Sequence, residues 1–176
     1  MYKKSLLLST LILSALLLNA KVRTQAQTDT GKLSAVAALY QGNQSYSNKN
    51  YEEAFKWYQQ SANDGNSEGM ASLGSMYSNG LGVKENNSAA AKWYLKAAES
   101  GSAKAMTYLG IINQNGTGVN KNLKEAFNWY TKAANAGNAN GMFKLAEMYE
   151  NGIGVTKDLT QALKWYKTAA SRYLMQ

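Results

Sequence analysis

The sequence contains no cysteine, no histidine and no proline among its 176 residues. Without cysteine and histidine, the chain cannot form disulfides, thiolate nucleophiles or imidazole bases, and it lacks the commonest zinc ligands. Without proline, the breaks between helices must be made by the 15 glycines and by Asn and Ser. These absences exclude much of enzyme chemistry, so we expect no cofactor and no metal, and they favour a string of helices.

The first twenty residues have the layout of a secretory signal peptide. Lys3 and Lys4 precede an apolar stretch from Leu6 to Leu18, and Asn19-Ala20 closes the segment. The apolar stretch is too short to span a bilayer comfortably. We therefore predict a signal peptide over residues 1–20, a polar flexible lead-in over 21–32, and a periplasmic or extracellular protein without a stable membrane anchor.

The charges of the remaining chain are scattered and weakly positive. Without Lys3 and Lys4, 17 of the 19 Lys and Arg remain against 11 Asp and Glu, so the net charge is 17 − 11, or +6. No basic stripe with interleaved aromatic residues stands out, and nucleic-acid binding usually requires one. We expect no nucleic-acid partner.

The chain is dominated by an internal repeat of 36 residues. All four tryptophans recur at this interval, each followed by a tyrosine, and a Gly-x-Gly-Val turn recurs in the same register. The aromatic pairs are Trp57-Tyr58, Trp93-Tyr94, Trp129-Tyr130 and Trp165-Tyr166, and the turns begin at Gly80, Gly116 and Gly152. Because the aromatic pairs recur with alanines at helical spacing, both aromatic rows are predicted to lie in the core.

Helix starts and stops are visible within each unit. Asn or Asp precedes each tryptophan-bearing helix, and three of these four residues have Glu or Gln three positions later, which predicts a capping box. The predicted N-caps are Asn50, Asn86, Asn122 and Asp158 for these helices and Asn66, Ser102 and Asn138 for the others. Small residues at Gly74, Gly110 and Ala146 are predicted to allow close helix approach.

The pattern resembles the Sel1-like repeat, a relative of the tetratricopeptide repeat. Residues 65–176 carry the resemblance in blocks such as GMASLGSMYSNGLGVKENNSAAAKWYLKAAESG, whereas residues 33–64 look more like an ordinary tetratricopeptide unit because they lack the Gly-x-Gly-Val turn. The resemblance implies an all-α, right-handed α-solenoid of about four helix-turn-helix repeats.

Two departures from the repeat stand out. The middle unit has Asn113 where its neighbours have Tyr77 and Tyr149, so it loses an aromatic residue. At the end of the last unit, Tyr173 and Leu174 stand where a solenoid usually has a polar cap. The second departure predicts possible self-association through the C-terminal end.

The resemblance also implies a binding surface, because first helices line the concave groove in tetratricopeptide-like arrays. We predict a non-catalytic scaffold or adaptor that holds a protein or peptide in this groove, with Ile111 and Phe143 as apolar anchors or, equally, as filling between helices. The predicted groove residues are Asn43, Tyr46, Glu68, Ser75, Lys104, Thr107, Ile111, Gln114, Asn140, Phe143, Glu147 and Glu150.

Other functions stay open as alternatives. Glu147 and Glu150 lie one helical turn apart and could form a carboxylate dyad, and the aromatic rows could stack on sugars. The main alternative is therefore an enzyme directed at the cell wall, or a binder of small molecules such as β-lactams or peptidoglycan fragments. Cysteine-rich exported relatives have been linked to β-lactam binding, but this chain lacks their paired cysteines.

Overall fold

The computed structural model describes residue 21, residues 31–32 and residues 34–174. The predicted signal peptide and most of the lead-in lie outside this part of the chain. From residue 34 onward the chain is a succession of α-helices, and no strand occurs among the described residues. The helices are α1 (34–47), α2 (Tyr51–Asn63), α3 (Ser67–Asn79), α4 (Asn87–Glu99), α5 (Ala103–Asn115), α6 (Leu123–Asn135), α7 (Ala139–Asn151) and α8 (Leu159–Leu174).

The helices form the predicted α-solenoid. Each unit has a first helix (α1, α3, α5 or α7) and a second helix that carries the tryptophan (α2, α4, α6 or α8). The first helices α3, α5 and α7 each pack most extensively on the second helix that follows, which is α4, α6 and α8 respectively. Consecutive units are joined by α2 on α3, α4 on α5 and α6 on α7, and the first helices α5 and α7 also touch. None of the helices in the described part is both long and apolar enough to cross a membrane.

The predicted N-caps form at most helix starts. The side chain of Asn86 accepts a hydrogen bond from the Ala89 amide at 2.9 Å, and Asn122 accepts one from the Glu125 amide at 3.0 Å. The equivalent bonds are also present at Asn66, Ser102, Asn138 and Asp158. Asn50 is the exception, since it occupies the N-cap position of α2 but makes no capping bond with its side chain.

The predicted capping boxes are wrong in their second half. A capping box needs the Glu or Gln side chain to accept from the N-cap backbone amide. The amide of Asn122 instead donates to the Asn113 carbonyl at 2.8 Å, and the amides of Asn50 and Asp158 donate to the Ser45 and Tyr149 carbonyls. A backbone carbonyl of the preceding first helix thus takes the amide that the capping box would use.

The Gly-x-Gly turns end the first helices and bring units together. Gly80, Gly116 and Gly152 adopt the left-handed conformation with φ of 64°, 77° and 68°, which only glycine adopts without strain. The next glycine has a different role, because a Cβ at Gly118 would overlap the Asn87 backbone at the start of α4. These turns therefore serve helix termination and close packing between units.

The two aromatic rows are buried to different depths. Tyr58, Tyr94 and Tyr130 are 4%, 3% and 0% exposed, whereas all four tryptophans are only partly buried. Adjacent residues on a helix point about 100° apart, so a Trp-Tyr pair cannot aim both rings at the same core. The prediction that both rows lie in the core is therefore correct for the first three tyrosines and needs correction for the tryptophans.

The tryptophans instead pack along the edge of the preceding unit. Trp93 lies against the cluster of Tyr58, Leu73 and Met76, and Trp129 lies against the next cluster. Lysines cover the outer ring faces, with the Lys132 ammonium 4.0 Å from the Trp129 ring centroid. A cation over an exposed indole face is a modest stabilising contact.

The small residues of the first helices lie beneath the tyrosine rings. A Cβ added at Gly74 would come within 3.0 Å of the Tyr94 ring, and one added at Gly110 would overlap the Tyr130 ring. Close helix approach at these glycines is thus confirmed, but the ring that requires it is the tyrosine.

Candidate functional site

The first helices line a run of connected hollows, which we call the groove. One hollow of about 370 Å³ lies between α1, α3 and α5, and it shares Lys104 and Tyr108 with a second of about 350 Å³ between α5 and α7. A third, also of about 350 Å³, shares Ser75 with the first and Ile111 with the second. The groove is therefore continuous across the first helices of four units, α1, α3, α5 and α7.

Most of the predicted site residues come together in this groove. They are Asn43, Tyr46, Glu68 and Ser75 in the first hollow and Lys104, Thr107, Ile111, Asn140 and Phe143 in the second. Thr107 contributes little free surface, since it is 7% exposed and its hydroxyl donates to the Asn138 side chain at 3.1 Å. Phe143 is 42% exposed and presents the largest apolar surface of the groove on α7.

The other predicted residues do not line these hollows. Gln114 and Glu150 each accept a hydrogen bond from a tyrosine hydroxyl at 2.7 Å, from Tyr130 and Tyr166 respectively. Glu147 forms an ion pair with Lys144 at 2.7 Å. These three side chains extend the polar wall of the groove towards the C-terminal end.

Of the tyrosines in the groove, the sequence analysis predicted Tyr46 but missed Tyr58 and Tyr108. The Tyr58 hydroxyl donates to the Asn43 side chain at 2.9 Å, so a residue of the core row reaches the groove with its polar end. Tyr108, absent from the predicted set, stacks on Tyr94 with ring centroids 4.8 Å apart. Tyr130 and Tyr166 bond in the same way to acceptors 16 residues earlier in the chain.

The tyrosine hydroxyls stay protonated at physiological pH. Burial raises the pKa of Tyr94 and Tyr130 well above the usual range. Burial, together with the hydrogen bond to Glu150, raises the pKa of Tyr166 to about 12. The groove therefore carries neutral hydroxyls whose positions are fixed by ring packing.

The charges of the groove are mixed. Glu68 and Lys104 line the first hollow, Lys144 lines the second, and Glu147 and Glu150 follow towards the C-terminal end. Both signs lie within a few residues of apolar Phe143. This composition resembles a protein-binding surface with an apolar centre and a polar rim.

The carboxylates give no sign of a catalytic dyad. Glu147 is paired with Lys144, while Glu150 accepts the Tyr166 hydroxyl, so each carboxylate has its own partner. Within the described residues, no group of three or more acidic, His or Cys side chains is arranged to hold a metal ion.

The last turn of α8 contacts the start of α7. The Tyr173 hydroxyl donates to the side-chain oxygen of Asn140, at the edge of the groove. Tyr173 remains 50% exposed and Leu174 is 89% exposed. The predicted apolar end is thus exposed among the described residues, and self-association through it stays a prediction.

Comparison with known proteins identifies the family. The Sel1 repeat model matches residues 25–66, 67–102, 103–138 and 139–173. The chain belongs to the Sel1 repeat family. The first match includes the unit that lacks the Gly-x-Gly-Val turn.

Solved structures share this fold. A Sel1 repeat protein from Oxalobacter formigenes is 39% identical with a TM-score of 0.72, over 76% of this chain and 55% of that one. A protective antigen of uropathogenic Escherichia coli displaying an SLR fold is 30% identical with a TM-score of 0.75, over 85% of this chain and 32% of that one. Cysteine-rich protein B of Helicobacter pylori is 25% identical with a TM-score of 0.56, over 69% of this chain and 90% of that one.

The first two structures are longer than this chain, which spans about half of one and a third of the other. No curated protein matches the chain. Sel1 repeat proteins generally act as protein-interaction scaffolds and are generally non-catalytic.

Proposed function

We propose that this protein is a non-catalytic scaffold that binds an extended segment of a partner protein in the groove, outside the cytoplasm. The observation that carries the proposal is the continuity of the groove across four units, with Phe143 exposed on α7. A continuous groove lined by several repeats suits a segment several residues long better than a compact small molecule.

The side chains of the groove match the chemistry of a polypeptide. Asn43 lines the first hollow; its side-chain oxygen already accepts from the Tyr58 hydroxyl, and its NH2 group can donate to a carbonyl of a peptide backbone. Apolar contacts are available at Phe143 and Tyr108, with Lys104 between the two larger hollows. Apolar anchors surrounded by polar groups are typical of sites where a few residues supply most of the binding free energy.

Location outside the cytoplasm rests on residues 1–20, whose sequence has the features of a signal peptide. Fusing residues 1–32 to a reporter enzyme that is active only after export tests this part. We expect activity from the fusion and none from its variant Leu13→Arg/Leu16→Arg, in which two charges interrupt the apolar stretch. Activity that survives both changes would mean that the segment does not direct export.

The groove is tested by capturing partners from the envelope fraction of the source cell with purified residues 21–176 as bait. The variant Lys104→Glu/Phe143→Asp changes two groove side chains that are exposed and contribute little to the core. We expect it to lose the partners that the unchanged protein retains, as measured by quantitative mass spectrometry.

The matched control is Leu163→Asp on α8, because Leu163 is 55% exposed and lines none of the groove hollows. It adds the same charge as the Phe143→Asp change, at a similarly exposed apolar position. We expect it to recover partners as the unchanged protein does. Equal recovery by the groove variant and the control would exclude the groove as the binding surface.

A further inference from the structure

The junction between α4 and α5, where the middle unit begins, lacks an aromatic pair that the junctions on either side contain. Phe55 on α2 and Tyr77 on α3 lie edge to face with ring centroids 5.4 Å apart, and Phe127 on α6 and Tyr149 on α7 repeat the arrangement at 5.3 Å. Thirty-six residues from each, α4 has Ala91 and α5 has Asn113. Both rings are absent together.

The surrounding turn differs in the same way. In the neighbouring units Leu81 and Val83, or Ile153 and Val155, pack on the cluster that contains the aromatic pair. The middle unit has Thr117 at the first of these positions, and its Val119 is 37% exposed. Val119 keeps its apolar side chain but lacks the rings that cover its counterparts.

The missing rings leave a hollow, which we call the middle-unit hollow. It has a volume of about 390 Å³ and lies between α4, α5, the turn after α5 and α6. Its walls are apolar, and its polar side chains are those of Ser88, Lys92, Asn113 and Glu125. The apolar wall residues are Ala91, Leu95, Leu109, Val119 and Trp129.

Three polar side chains of the hollow are already bonded within the protein. The Asn113 amide donates to the Leu109 carbonyl of its own helix at 2.8 Å. The Ser88 hydroxyl donates to the Gly118 carbonyl at 3.0 Å and ties α4 to the turn. One carboxylate oxygen of Glu125 accepts from the Asn128 side chain at 3.4 Å. An incoming apolar group therefore breaks no buried polar contact, and the Lys92 ammonium and the other Glu125 oxygen can bond a polar substituent.

The hollow is separate from the groove. On α5 the groove is lined by Lys104, Tyr108 and Ile111, whereas the hollow is lined by Leu109 and Asn113. Residues two apart on a helix point about 200° apart, so Ile111 lies on nearly the opposite face of α5 from Leu109 and Asn113.

We propose that the middle-unit hollow is a binding site for a single aromatic ring with a polar substituent, of the phenol class. The same backbone frame holds a phenyl and a phenol ring in the units on either side, so its size and wall chemistry suit such rings. Trp129 supplies an aromatic face and Lys92 or Glu125 a polar partner for the substituent. A site of about 390 Å³ falls within the range of small-ligand pockets.

The test uses para-cresol, the side-chain analogue of tyrosine, titrated into residues 21–176. The indole N–H resonance of Trp129, identified from the spectrum of Trp129→Phe, reports on the hollow by NMR. We expect a saturable shift of this resonance. A shift that grows linearly up to the solubility limit would overturn the proposal.

The neighbouring units supply the variants. Ala91→Phe/Asn113→Tyr copies their aromatic pair into the middle unit and is expected to abolish the shift while the protein stays folded. Phe127→Ala/Tyr149→Asn places the residue types of Ala91 and Asn113 at the equivalent positions of α6 and α7. We expect this variant to gain a second para-cresol site, reported by a shift of the Trp165 indole N–H resonance. Unchanged para-cresol binding by the first variant would also overturn the proposal.

A second variant tests the site in case Ala91→Phe/Asn113→Tyr does not fold. Leu95→Lys changes a wall residue that is 40% exposed, so folding should tolerate it, and we expect it to weaken para-cresol binding. Comparing para-cresol with a capped Gly-Tyr-Gly peptide then distinguishes a free ring from one carried by a polypeptide. If Leu95→Lys binds as tightly as the unchanged protein, the ring binds elsewhere and the proposal fails.

Discussion

Helices α6 and α8 carry the same repeat motif but differ in burial. Tyr130 on α6 is fully buried and lies over Gly110. Its counterpart Tyr166 on α8 is only partly buried, and the position beneath it is Ala146. The second helix α6 packs on both α5 and α7, whereas α8 packs on α7. The motif therefore sets the direction in which the tyrosine points, and the next unit decides how deeply it is buried.

The largest expected difference between the two helices is the cost of removing the tyrosine. We expect Tyr130→Ala to lower the free energy of unfolding by roughly 3–5 kcal/mol, because a buried ring leaves a cavity. Tyr166→Ala should cost about 1 kcal/mol, since solvent already reaches that ring. Urea denaturation followed by circular dichroism measures both, and equal losses would contradict the dependence on the next unit.

A smaller effect is expected from the glycines beneath the rings. Gly110→Ala should destabilise the protein by about 1–3 kcal/mol, because the added Cβ overlaps the Tyr130 ring. Gly74→Ala meets the Tyr94 ring at 3.0 Å, and its higher helix propensity partly offsets the contact. We expect Gly74→Ala to cost less in thermal melts. A larger loss of stability for Gly74→Ala than for Gly110→Ala would show that the tyrosine rings move to accept the added Cβ and do not set the cost.

The smallest difference in stability is expected between two N-cap residues, Asn122 and Asn50. Asn122→Ala should cost about 1 kcal/mol, because Asn122 caps α6 through the Glu125 amide. Asn50→Ala should cost little, since the Asn50 side chain caps no amide of α2 and instead donates to Glu53. Chemical denaturation of the two variants measures the difference. Equal costs would mean that the Asn122 bond does not stabilise the helix.

At alkaline pH, the stability of the protein depends on the ionisation of Tyr130 and Tyr166. The folded pKa values of Tyr130 and Tyr166, the latter about 12, lie above the usual value of 10 because burial disfavours the phenolate. Their stabilising contribution is fully present below pH 10 and is lost as the pH rises through the folded pKa. Between pH 10 and 12, we expect the free energy of unfolding to fall less for Tyr166→Phe than for the unchanged protein. An unchanged fall would assign the alkaline transition to other groups.

Local structure was largely predictable from the sequence. Asn122 and Gly116 act on their own helix ends, so their capping roles follow from residue type and position. Groove placement was predictable for Asn43 and Phe143 through the resemblance to tetratricopeptide units. The role of Tyr58 was not, because one long side chain can be buried at its ring and exposed at its hydroxyl, and the residue type does not show which part reaches the groove.

The sequence by itself determined the repeat frame, the helix ends and the membership of each residue in a first or second helix. It did so because caps, glycine turns and helical periodicity depend on neighbours within a few residues. The tertiary structure alone decided that Tyr130 and not Trp129 fills the core, and that Ala91 and Asn113 border one shared hollow. Both depend on packing between residues distant along the chain, and no local pattern encodes the space that such packing leaves.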